Sequence, residues 1–211
     1  MGRPSVEERR NEILEVTCQV LIERGFGATR VVDVADRLGI STGLIHYHFE
    51  SKDQLLAEAF QWAAEADLAR LHAEVDRIGT AVERIERLIR LYAHVEAEPG
   101  WMLWIDGWGE ALRDPTLQRI SGRLDLEWQQ VLANLLRLGV AAGEFTCADP
   151  DATAWRLTAL LDGLGLQVTV HEGLLTHEQL LGYVHTAVAT ELGMTEAAFA
   201  HAARRVTRDV A

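Results

Sequence analysis

The chain has 211 residues, 48% of them hydrophobic and 25% charged, and a formal net charge of −12. These values exclude disordered and collagen-like chains, and the length suffices to bury a core without disulfides or a structural metal. Cys18 and Cys147 form neither a CxxC pair nor a zinc-spaced set, no apolar run reaches bilayer length, and no signal-peptide core is present; the reading is a reduced, cytoplasmic chain with no metal, no cofactor and no membrane contact.

No segment alternates at a strand-like period, and apolar residues recur at helical spacing, which predicts an all-α chain of about nine to ten helices. The first helix starts near Ser5 or Val6, with Glu7 and Glu8 favoured by the helix dipole, and stops at Gly25. Thr29 opens a short second helix with Val31, Val34, Ala35 and Leu38 on one face, ended by Gly39. Ser41 caps a third over residues 42–48, and Ser51 a fourth reaching about residue 75. Longer helices follow: Thr80 to about Glu96, Pro99-Gly100 to about Arg113, and Asp114-Pro115 through Val140, closed by Gly143. Asp149-Pro150 begins the next, through residue 171; Thr176 caps one reaching Leu192, and Thr195 caps the last. The domain boundary falls beside the fourth helix, giving residues 1–52 and 53–211 with that helix shared.

The net charge does not by itself exclude nucleic acid. Residues 1–60 hold seven Arg/Lys and ten Asp/Glu, against thirteen and twenty-two in residues 61–211. Placement of cations matters more than their sum. Segment 31–49, VVDVADRLGISTGLIHYHF, is a two-turn helix, a glycine turn and a second helix with a polar, aromatic N-terminal half. That is a helix-turn-helix pattern, with Val34, Leu38, Ile45 and Phe49 as its core and the second helix shaped for a major groove. A plain helical hairpin shares the outline.

The longer run 25–56, GFGATRVVDVADRLGISTGLIHYHFESKDQLL, closely resembles the TetR family of transcriptional regulators. The matching features are Gly25-Phe26, Thr29, Val34-Ala35, Gly39-Ile40-Ser41, Gly43, Tyr47-His48-Phe49, Ser51-Lys52 and Leu55-Leu56. The resemblance implies a three-helix DNA-binding domain, a helical ligand-binding body and a homodimer on a pseudo-palindromic double-stranded DNA operator. It places Ser41, Thr42, Gly43, His46, Tyr47, His48 and Lys52 at DNA-touching positions, with Thr29 and Arg30 reaching the backbone at the start of helix two. His46 stands where the family often has Tyr, and Thr42 where it often has a cation. Phosphate contacts then fall to Lys52, Arg3, Arg9, Arg10 and Arg30, although Arg9 and Arg10 also fit a solvated face paired with Glu12 and its neighbours.

In the body, Trp101, Trp104 and Trp108 stand at i, i+3 and i+7. Such a stripe packs a core or walls a ligand cavity. Residues 101–112 and 159–167 resemble the C-terminal type shared by choline-responsive repressors of the BetI kind, whose relatives answer to varied effectors. The resemblance makes Trp62, Tyr92, Trp101, Trp104, Asp106, Trp108 and Trp128 candidates for contact with a small-molecule effector. Glu110 and His94 are further polar groups near the tryptophans in sequence. Trp faces beside a carboxylate suit a cation; pairing of Asp106 and Glu110 with Arg113 is the alternative. The family's dimer pairs the helices 150–171 and 177–192 with their copies, which nominates Ala159, Leu160, Gly163, Leu164, Val168, Leu181, Val184 and Val188.

No GxxxxGK[ST] or HExxH occurs, and the histidine pairs lack a third ligand, so the chain reads as no enzyme. The expectation is a repressor released from its operator by a small molecule. The alternative is a ligand-binding or interaction protein that has lost specific DNA binding.

Overall fold

The Ser5 hydroxyl accepts the Glu8 N–H at 3.1 Å, and the Glu8 carboxylate accepts the Ser5 N–H at 2.6 Å. This reciprocal cap starts α1 (Val6–Ala28) in the computed structural model. The structure describes residues 5–93, 100–204 and 206. Among them are ten helices and no strand: after α1 come α2 (Val31–Leu38), α3 (Thr42–His48), α4 (Lys52–Val75), α5 (Ala81–Ala93), α6 (Gly100–Ala111), α7 (Pro115–Ala141), α8 (Pro150–Val170), α9 (His177–Glu191) and α10 (Glu196–Ala202). The all-α expectation holds. The expected end of α5 near Glu96 lies outside the described residues, as do Arg3 and His94.

By packing, the chain divides into two units: residues 1–67 with 99–124, and residues 68–98 with 125–211. α4 and α7 contribute residues to both. This cut follows packing density and differs from the 1–52 and 53–211 division by role.

In the first unit, α1 is interrupted at Gly25, whose φ of 76° lies in the left-handed region. A side chain there costs about 1–2 kcal/mol in backbone strain. The break frees the Phe26 N–H, which donates to Asp106 Oδ2 of α6 at 2.8 Å. Thr29 closes the segment, donating its N–H and its hydroxyl to the Gly25 carbonyl at 3.1 and 2.7 Å. The cap of α2 therefore falls one residue later than the Thr29 reading, at Arg30, with the Asp33 carboxylate accepting the Arg30 N–H at 3.0 Å. Gly39 ends α2 at φ 64°, and the Ile40 N–H reaches back to the Ala35 carbonyl at 3.0 Å. Val34, Ala35, Ile45 and Phe49 join a core with Ile13, Leu21, Leu55 and Phe60, and Leu38 packs on it partly buried. α6 lies close to this core because Gly107 has no side chain: a Cβ there would come within 2.7 Å of the Phe60 ring.

In the second unit, the Glu144 carboxylate accepts the Ala81 and Val82 N–H groups at 3.0 and 3.1 Å and so caps α5. α5 packs with α8, α9 and α10. Glu86 of α5 is 1% exposed, and its carboxylate is held by Arg90 Nε at 2.6 Å and approached by His185 Nε2 of α9 at 2.9 Å. α8 and α9 are joined by Arg156 and Glu191, with Thr153 donating to the same carboxylate at 2.9 Å.

Candidate functional site

The helix-turn-helix is braced from behind. Ser41 caps α3 by accepting the Leu44 N–H at 3.3 Å, and Ile45 is the one residue of α3 buried below 2%. Ser41, Thr42, Gly43, His46 and Tyr47 are exposed on the opposite side, Tyr47 at 73%. A Cβ at Gly43 would meet only the Ser41 hydroxyl, at 3.8 Å, so the surface is open there. The α3 backbone can therefore approach another surface closely.

His48 is half-buried, its ring 5.1 Å from Tyr47 in an edge-to-face pair. Burial, then the charges of Arg10 and Arg9, lower its pKa, which favours the neutral imidazole. Arg10 does not point outward to a phosphate. It donates to the His48 carbonyl at 2.8 Å, lies 4.3 Å from the Phe49 ring centroid and pairs with Glu58. It is a brace that fixes the end of α3 to α1 and α4.

The remaining cations of this unit sort by partner. Arg9 pairs with Glu12 at 2.6 Å, Arg24 with Asp33 at 3.0 Å and Arg37 with Glu23 at 2.6 Å. Arg30 and Lys52 make no ion pair among the described residues. Arg30 is exposed at the start of α2; Lys52 is half-buried in the first turn of α4, beside a small depression lined also by Asp53, Glu110 and Asp114. Thr29 is a correction. It is 0% exposed and its hydroxyl is committed to the Gly25 carbonyl, so it cannot touch DNA as folded.

The effector candidates fall into two groups. Trp62, Trp101, Trp104, Asp106 and Trp108 belong to the first unit. Trp104 packs edge-on to Phe60 at 5.2 Å and donates its N–H to Asp67 at 3.3 Å. Trp108 stands 5.7 Å from Trp104 and 5.9 Å from Trp101. Trp62 and Trp104 pack on the hydrophobic core, and Asp106 holds the break in α1. Arg113 donates to the Gly109 carbonyl at 3.4 Å, while Asp106 accepts the Phe26 N–H.

Tyr92 and Trp128 belong to the second unit and meet there, their rings perpendicular at 89° with centroids 5.3 Å apart. The Tyr92 hydroxyl donates to Asp162 of α8. Burial, then the negative charge of Asp162, push the phenol well above its ordinary range; burial also raises the Asp162 carboxyl. Asp162 is absent from the residues that the sequence nominates. The signal it offers there is one carboxylate among apolar neighbours on α8.

The dimer candidates also separate. Ala159 and Gly163 are exposed, and a Cβ at Gly163 meets nothing within 4 Å. Leu160, Leu164, Val168 and Leu181 are half-buried. Val184 and Val188 are corrections: at 0% and 1% exposure they are spent inside their own chain and cannot meet a second copy. Trp155 of α8 and Tyr183 of α9, which helical periodicity does not single out, are each 55% exposed.

The profile of a BetI-type transcriptional repressor C-terminal family matches residues 81–193, and that of the tetR family of bacterial regulatory proteins matches residues 13–59. The HTH-type transcriptional regulator BetI of Paraburkholderia xenovorans is 30% identical over 169 residues, 76% of this chain and 82% of the relative. A transcriptional regulator from Saccharomonospora viridis, solved in complex with choline, superposes at a TM-score of 0.81 with 32% identity, covering 86% of this chain and 96% of that one. A regulator from Pseudomonas aeruginosa superposes at 0.78 with 26% identity, covering 93% and 96%. Among the described residues no helix is long and apolar enough to cross a membrane.

Proposed function

The chain belongs to the TetR family of bacterial regulatory proteins, as a ligand-responsive, DNA-binding transcriptional regulator with a BetI-type C-terminal part, and from that membership we propose how its residues divide the work. A homodimer places two α3 helices in successive major grooves of a pseudo-palindromic operator, about 34–36 Å apart. Thr42, Gly43, His46 and Tyr47 face the base edges. Arg30 and Lys52 meet phosphates, which position the helix without reading sequence. The observation that carries this reading is the pairing pattern: Arg30 at the start of α2 and Lys52 in the first turn of α4, on the helices before and after α3 in the chain, have no ion-pair partner among the described residues, while Arg9, Arg24 and Arg37 are paired with acids.

The Saccharomonospora viridis relative holds choline, and by that likeness the effector of this chain is also a small organic molecule. Such a molecule relieves repression only insofar as it binds more tightly to a state in which the two recognition helices have another spacing. The dimer seam follows the exposed stripe Trp155, Ala159 and Gly163 of α8, with Tyr183 of α9.

Fluorescence anisotropy of the purified protein on its own upstream intergenic DNA, against scrambled DNA over a salt series, tests the reading. Specific binding that disappears in His46→Ala/Tyr47→Ala is the expected result. Equal affinity for specific and scrambled DNA at every salt concentration argues instead for a ligand-binding protein that no longer reads that DNA.

A further inference from the structure

The peptide that joins Gly25 to Phe26 is held at both of its polar ends. Its N–H donates to Asp106 Oδ2 of α6 at 2.8 Å, a contact between residues 80 apart in the chain. Its carbonyl accepts the Thr29 N–H at 3.1 Å and the Thr29 hydroxyl at 2.7 Å. A trans peptide is planar, with its N–H and C=O opposed, so the two grips act on one rigid unit. Turning that unit breaks both.

The fit around it is close. Gly25 lies against the same carboxylate, where a Cβ would stand 3.1 Å from Oδ2. The Phe26 side chain is buried and meets the Phe60 ring edge to face, with centroids 6.3 Å apart. Gly107, next to Asp106 on α6, lies against that Phe60 ring. α6 thus holds Phe26 directly through its N–H and indirectly through Phe60. Beyond the buried Thr29 the chain passes at once to Arg30, the cap residue of α2, and α2 packs on α1 and α3. One buried residue therefore carries the orientation of the Gly25–Phe26 peptide into the start of the helix-turn-helix.

We propose that Asp106 is a positioning residue for operator binding: from α6 it fixes the Gly25–Phe26 peptide and, through Thr29, the start of α2 and the setting of α3 on DNA. It touches no DNA itself. The position calls for an oxygen acceptor rather than for a charge. The inference rests on the placement of α3 and Arg30 proposed above.

Fluorescence anisotropy on operator DNA over a salt series, with variants checked for folding by circular dichroism and with amide hydrogen exchange alongside, tests this. Asp106→Ala should weaken operator binding about 10-fold. Its salt dependence should stay as in the parent, because no phosphate contact is lost. Asp106→Asn, whose side-chain oxygen still accepts an N–H, should restore affinity to within about twofold of the parent. Thr29→Val removes the hydroxyl at a site closed to DNA and should weaken binding about 3-fold. In the double variant Asp106→Ala/Thr29→Val the combined loss should fall short of the product of the two, since both act on one peptide. Exchange at the Phe26 and Thr29 amides should quicken in Asp106→Ala and return to the parent rate in Asp106→Asn.

Parent-like operator affinity in folded Asp106→Ala or in Thr29→Val overturns the proposal. So does an Asp106→Asn variant that loses as much as Asp106→Ala, or losses that multiply in the double variant. A parent that prefers its operator while these variants match it sinks the role of Asp106 alone. A parent that binds operator and scrambled DNA alike sinks the operator reading and this role with it, and quickened exchange in Asp106→Ala then marks a structural latch only.

Discussion

Arg10 touches three parts of the first unit at once: the His48 carbonyl at 2.8 Å, the face of Phe49 at 4.3 Å and the Glu58 carboxylate. It works from behind the recognition helix rather than on its face. Arg10→Ala should lower stability by about 1–2 kcal/mol, through a charged hydrogen bond, a cation–π contact and a partly exposed ion pair. It should also weaken operator binding by loosening the end of α3, while the dependence of log affinity on log salt stays as it was. A shallower salt dependence in Arg10→Ala would show that the guanidinium reaches a phosphate after all. The same arginine acts on His48. With the folded pKa lowered by burial, then by Arg10 and Arg9, the unfolded chain binds the proton more readily than the native one. Stability should therefore fall as pH drops through the ordinary histidine range near about 6.5 and below it. Urea midpoints at about pH 7.5 and 5.5 measure the fall, and His48→Gln should reduce it. An identical fall in His48→Gln would move the cause to another group.

At the scale of elements, the reading of α3 turns on Arg30 and Lys52, on the helices before and after it in the chain. Removing one phosphate-binding cation should make the salt slope less steep by about 0.9, so about 1.8 for a dimer carrying the change in both copies. Arg30→Ala and Lys52→Ala should each show this, with little change in preference among operator sequences. Arg24→Ala and Arg37→Ala, whose guanidinium groups are taken by Asp33 and Glu23, should leave the slope alone. Anisotropy titrations of all four over the same salt range decide it. The elements are legible in the sequence because their ends are written locally. Ser41, Asp149, Thr176 and Thr195 cap through N–H groups three residues on, and Gly25, Gly39, Gly143 and Gly193 adopt positive φ. Thr29 misleads because a threonine before an apolar run resembles a cap. The choice between capping α2 and closing α1 depends on the carbonyl that the broken turn at Gly25 exposes. Asp162 is harder still: its partner Tyr92 is 70 residues away, and no local pattern carries that pairing.

For the whole molecule, the question is which apolar surface remains after each chain has folded. Helical periodicity marks every apolar face of α8 and α9 alike. It cannot tell a face spent on α5 and α10 from one left for a second copy, which is why it nominates Val184 and Val188 beside Ala159 and Gly163. Burial separates them. Gly163 is exposed and a Cβ there meets nothing within 4 Å, so Gly163→Glu should leave the folded chain intact, or slightly stabilise α8 by replacing a helical glycine. Two such carboxylates facing one another across a twofold seam repel and lose water. Analytical ultracentrifugation should find this variant monomeric. Its affinity for a full operator should drop toward that of a half-site, because the second α3 no longer binds at the effective concentration that the first provides. Val184→Ala should do the reverse, costing about 2 kcal/mol of chain stability while leaving the seam's exposed groups in place. If Gly163→Glu remains dimeric with full operator affinity, the seam does not run along this face of α8, and the exposed Trp155 and Tyr183 must serve another contact.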